Sequence, residues 1–204
     1  MSKKLNRATW NSIVGLVLLT SILTVNLCAF AVTQAQNNVE SKIAQAVSLF
    51  KNKEISKALA IFREVGDPAI PAVMQLLHSD VEPKGAVLIY LSSFIASTKG
   101  ERADAALIQL LADESSFLRG DAAREVGNRK LSSALPKLIG LLSDTEVHYT
   151  ISMTDPYREK NILVRDSAVE ALQSITGKVL AKGKSRDEQV KAWLEWWRKQ
   201  RKRG

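Results

Sequence analysis

The chain has 204 residues, with 29 Lys and Arg against 21 Asp and Glu, a formal net charge of +8, two His and one Cys. The single cysteine, Cys28, excludes a disulfide framework, and His78 and His148 stand too far apart for any zinc-ligand spacing. The excess charge sits at the ends: residues 36–177 hold sixteen basic and eighteen acidic side chains, and residues 178–204 ten and three, so no basic stripe of the kind a nucleic-acid groove needs runs along the body.

The first 38 residues carry Lys3, Lys4 and Arg7 and no acid. An uncharged run, Ile13 to Val32, follows and gives way to small residues. That order reads as a secretory signal peptide over residues 1–35, with cleavage after Ala31 or Ala35. The alternative is a retained membrane anchor over residues 13–32, because twenty residues rising about 1.5 Å each reach across a hydrocarbon core of about 30 Å. Leu27 ahead of Cys28 speaks against lipoprotein processing, which wants a small residue there. The expected location is therefore periplasmic or secreted, and a cleaved chain would keep no cysteine, which suits an oxidising compartment.

Residues 36–66 predict a capping helical hairpin. Val39, Ile43, Ala46, Val47 and Phe50 keep helical spacing, Asn52-Lys53 interrupts it, and Ile55, Ala58, Leu59, Phe62 and Val65 resume it. Gly66-Asp67-Pro68 then predicts a helix stop, an N-cap at Asp67 and a proline at the first helical position. Val81 to Ala96, with Val87, Leu88, Leu91, Phe94 and Ile95, predicts a buried helix.

From Ala103 onward an apolar pattern repeats. Leu107 to Leu138, Leu111 to Leu142 and Asp113 to Asp144 are each 31 apart. A more remote copy, Ala69 to Leu77, lies 34 before Ala103 to Leu111. Each copy places apolar residues at i, i+3, i+4 and i+7, one face of a helix, and no copy shows sustained alternation. A fixed period of this length marks stacked supersecondary units, each unable to bury its apolar face alone. Residues 145–162 break the register as an insertion, with Asp155-Pro156 favouring a turn and Val147, Tyr149, Ile151, Met153 and Tyr157 more apolar than a solvated loop requires. After Ile175-Thr176-Gly177 and a charged loop come Val190, Trp193, Leu194 and Trp197, which predict a helix capping the last repeat, with Trp196 off that stripe.

The pattern resembles the HEAT repeat, in the short bacterial form also found in phycobilisome-lyase-like proteins. The marks are Pro71 and Pro136 early in a first helix, Asp113 and Asp144 in the turn, and Arg119 and Arg165 early in the second helix. Over residues 67–177 the resemblance implies an all-α fold, a right-handed α-solenoid of about three HEAT-like helix pairs, with helical caps at residues 36–66 and 178–204. It also implies an Asp–Arg ladder between neighbouring repeats. Asp113 and Arg119 stand at the family's six-residue separation, whereas Asp144 and Arg165 match only with 145–162 inserted between them. In the first repeat the position of the ladder Arg is Ala86. The Trp-x-x-Trp-Trp ending is similar to that of exported bacterial HEAT proteins.

Chemistry is sparse. The His-Glu pairs with which HEAT-like hydroxylases bind di-iron are absent from the sequence, as are a Gly-rich phosphate loop and a nucleophile elbow. The expectation is a non-catalytic scaffold without metal or cofactor that binds a protein or peptide in the cell envelope, with His148, Tyr149, Tyr157 and Trp196 as candidate contacts. Membrane contact through the N-terminal segment or the basic tail stays open. The alternative is a relative of the bilin lyases that handles a tetrapyrrole chromophore; export weighs against it, since phycobilisome assembly is cytosolic.

Overall fold

The computed structural model describes residues 7–80, 84–152 and 159–202, with the backbone alone described over residues 7–28 and at residues 84, 86, 151, 152 and 159. The described residues are mostly helical, so the interior is filled almost wholly from helix faces. The first element, α1 (Arg7–Lys51), is a single helix that runs through both candidate cleavage positions, Ala31 and Ala35, without a break. Residues 29–38 of it are exposed. Among the described residues no helix is long and apolar enough to cross a membrane; the candidate anchor falls largely on residues 13–28, whose side chains lie outside the described part.

The end of α1 folds back on α2 (Ile55–Val65). Lys53 takes a left-handed conformation at φ 65°, and Lys53 and Glu54 donate their N–H groups to the carbonyls of Phe50 and Leu49, which satisfies the last orphan acceptors of α1. Ala46 and Phe50 then meet Ala58, Leu59 and Phe62, all buried. Gly66 closes α2 at φ 72°. Asp67 does not cap its own helix, as its place before Pro68 predicts. Its Oδ1 instead accepts the N–H of Ala103 at 2.9 Å, so it caps a helix 36 residues further on.

Three helix pairs follow: α3 (Ile70–Leu77) with α4 (Lys84–Ser97), α5 (Glu101–Leu110) with α6 (Ser116–Asn128), and α7 (Leu135–Gly140) with α8 (Val164–Thr176). Beyond its own partner, α3 contacts α5, α4 contacts α6, and α6 contacts α8. A close backbone approach joins α6 and α8. A Cβ on Gly127 would stand 2.7 Å from the Cα of Ala171, and only small residues, Ala123 and Gly127 against Ala168 and Ala171, let two backbones come so near. On α4 the residues Val87, Leu91, Phe94 and Ile95 are buried while Ile89 and Tyr90 face outward.

The mostly helical structure is consistent with an all-α class, and its small strand content falls in the insertion, residues 145–162, and Leu163. They hold an antiparallel ribbon of β1 (Val147–Ser152) and β2 (Glu159–Leu163), with a bulge between Val147 and Tyr149. The reason is local: Val147, Tyr149 and Ile151 alternate with His148, Thr150 and Ser152, a period of two rich in β-branched and aromatic residues. At its base the ribbon returns the chain to where it left. Val164 donates to the carbonyl of Glu146, and Arg165 to that of Asp144, each at 3.0 Å. Tyr157, with the rest of residues 153–158, lies outside the described residues. The last helix, α9 (Arg186–Arg201), starts with a capping box in which Ser185 and Glu188 exchange hydrogen bonds.

Candidate functional site

Asp113 and Asp144 occupy equivalent turns and use their two oxygens alike. One oxygen closes the turn, accepting the N–H of Ser115 at 2.9 Å or of Glu146 at 3.0 Å. The other reaches back to an earlier element: Asp144 Oδ2 accepts Arg119 Nε at 2.7 Å, and Asp113 Oδ2 lies 2.7 Å from His78 Nε2. Arg119 spends its remaining donors on the carbonyls of Asp113 and Glu114, both at 2.8 Å, and on Glu146 at 3.0 Å. Its side chain is 11% exposed.

Arg119 bonds the aspartate of the following turn, Asp144, and touches Asp113 only through its backbone carbonyl. Asp144 and Arg165 are joined through the backbone, and the Arg165 guanidinium turns forward to Asp187 of α9 at 2.9 Å. The reason is direction, because side chains early in these second helices point along the row of helix pairs to the next element. Where Arg is missing at Ala86, His78 supplies the cation from the end of α3.

His78 is held by two acceptors, the Met74 carbonyl at 2.9 Å and Asp113. A neutral imidazole has one N–H and can serve only one of them, whereas the imidazolium serves both. The Asp113 hydrogen bond first, and the Met74 carbonyl next, raise its pKa above the ordinary value. Beside it lies a cavity of about 430 Å³ with an apolar floor that includes Met74, Leu88 and Leu118.

His148, a candidate partner contact, is buried, being 5% exposed. Its Nδ1 lies 3.1 Å from Ser167 Oγ and its Nε2 3.3 Å from Asp121 Oδ1, an order that invites comparison with a Ser-His-Asp triad. The surroundings argue otherwise. A substrate carbon must sit about 3 Å from the nucleophile, and Ser167 is itself 5% exposed. The imidazole lies so close over Gly120 that a Cβ there would fall 2.2 Å from it, with Phe117 and Tyr149 rings on its flanks. The side chain is a peg that seats β1 on α6, and Gly120 is its socket. Ser116 adds a second tie, donating to the Val147 carbonyl at 2.8 Å.

What the peg presents is its neighbours. Tyr149 and Val147 are 40% and 41% exposed, so a half-open aromatic and a β-branched side chain stand side by side on a fixed ribbon. At the C-terminal end, Trp193 is fully buried, and Trp196 packs edge-on against it at 5.3 Å. Trp196 is half-buried, as is Trp197, so the candidate contact Trp196 shares in the cap. Leu194, expected on the buried stripe, is 41% exposed.

Arg129 carries a role that periodicity does not announce. Its Nη2 donates to the carbonyls of Ala96 at 2.6 Å, Thr98 at 2.8 Å and Ile95 at 3.2 Å, while Nη1 pairs with Asp104 and Nε with Glu125. It caps the C-terminus of α4 from the end of α6. The sequence signal was slight: an Arg just beyond a helix that recurs as Arg-Glu-Val-Gly at 63–66 and 124–127. The chain matches no family model, and neither a curated protein nor a solved structure matches it.

Proposed function

We propose that this protein is a non-catalytic scaffold, a right-handed α-solenoid of about three HEAT-like helix pairs, that binds a protein or peptide partner in the cell envelope. The solenoid reading is supported by the shared role of Asp113 and Asp144 and by the contacts of α3 with α5, α4 with α6 and α6 with α8. The observation that carries the binding reading is the pegged ribbon: a buried His148 fixes β1 so that Val147 and Tyr149 are displayed rather than packed. Loops and ribbons held on a rigid helical frame are where recognition residues are usually placed. Export rests on the basic, apolar and small-residue order of the leader.

A photo-crosslinking residue at position 149, compared with one at Ser132 on the far turn, tests the site in cells. A discrete adduct at 149 alone supports the reading, and equal or absent adducts at both overturn it. Intact mass of the native protein tests export, with loss of 31 or 35 residues expected and a full-length cytosolic chain contradicting it.

A further inference from the structure

We propose that the C-terminal half of α9 is a docking surface for an anionic phospholipid membrane, separate from the ribbon and independent of its reading. Leu194, Trp197, Arg198, Arg201 and Lys202 line an open cavity of about 500 Å³. These positions share one helix face, since Leu194, Trp197, Arg198 and Arg201 stand at i, i+3, i+4 and i+7. Trp193, at the border of this face one turn before Trp197, is fully buried and anchors the helix.

Charge selects the occupant. Of the three acids in α9, Asp187 is paired with Arg165 and Glu188 is bound by Ser185. After Glu195 the chain contains no further acid, while Arg198, Lys199, Arg201 and Lys202 follow within seven residues. Three cations around a cavity therefore meet no internal partner among its lining residues. A soluble polyanion would satisfy the charge but leave Leu194 in water. Phospholipid satisfies both, because phosphate headgroups meet the cations while Leu194 and the rim of the Trp197 indole enter the headgroup–acyl boundary, where Trp is favoured.

The test uses the full chain carrying Trp10→Phe, so that emission comes from the α9 tryptophans alone, in vesicles of phosphatidylcholine with about 30 per cent phosphatidylglycerol whose acyl chains are brominated. Quenching should be at least about threefold greater than in brominated phosphatidylcholine alone, and should fall to that level in the Arg198→Glu, Arg201→Glu, Lys202→Glu variant. Leu194→Ser should also lose quenching, and it provides a second, independent measure should the triple variant misfold. Equal quenching in the two lipids, or quenching unchanged by either variant, overturns the proposal. So does complete displacement by soluble polyphosphate with no effect of Leu194→Ser, which would make the surface a polyanion site.

Discussion

The two junctions that join the three central helix pairs start from equivalent aspartates and end on different cations. At the second, Arg119 bonds Asp144, Glu146 and two backbone carbonyls from a position that is 11% exposed. At the first, His78 meets Asp113 from a position that is 50% exposed. A planar guanidinium with five donors can tie a whole turn together and stays charged at any ordinary pH, while an imidazole offers at most two donors and only when protonated. The same carboxylate therefore supports one permanent junction and one that depends on solvent and proton concentration.

The scale for testing this contrast is set by Trp193. Trp193→Ala removes a fully buried ring and should cost about 3 to 5 kcal/mol in denaturant unfolding. Arg119→Ala should approach that figure at about 2 to 3 kcal/mol, because it strands Asp144, 13% exposed, and two turn carbonyls; a loss below about 0.5 kcal/mol would place Arg119 with ordinary surface charges. Gly120→Ala should cost about 2 kcal/mol, since the new methyl displaces the His148 ring, and it should raise amide exchange in residues 147–152 more than elsewhere.

At the first junction His78→Ala should cost less than about 1 kcal/mol, as the exposed side chain is screened. Its sign with pH is fixed. A raised His pKa means the contribution is fully present below the unfolded value of about 6.5 and fades as pH rises through the folded value. Unfolding measured on both sides of that window should show a decline in the parent that His78→Gln lacks, and an equal decline in both would remove His78 as its source. The smallest effect belongs to Tyr149→Ala, expected within about 0.5 kcal/mol for a surface position, with weaker crosslinking from a photo-reactive residue placed at position 147.

The helical elements were legible because their apolar residues are local and periodic; Leu107, Leu111, Leu138 and Leu142 are all buried at the positions their spacing assigns. The ribbon was harder to read, since its alternating stretch covers six residues and lies beside a turn signal that suits a loop equally well. His148 gave no sign of burial, because its socket, Gly120, belongs to α6, a separate element, and a glycine there looks like a helix defect. His78 was obscured in a different way. Its partner is 35 residues distant, and a substitute for a missing Arg is found only when the empty position and the neighbouring helix end are seen together.

The Arg129 clamp bears on how the molecule comes apart. Its guanidinium holds carbonyls at the end of α4, a carboxylate of α5 and one of its own helix α6. A linear array of helix pairs would otherwise open one neighbour at a time from either end. With three successive helices tied at one side chain, release of any one of them breaks at least one bond of Arg129, and residues 84–128 are expected to open together, their slowest amides exchanging at one rate.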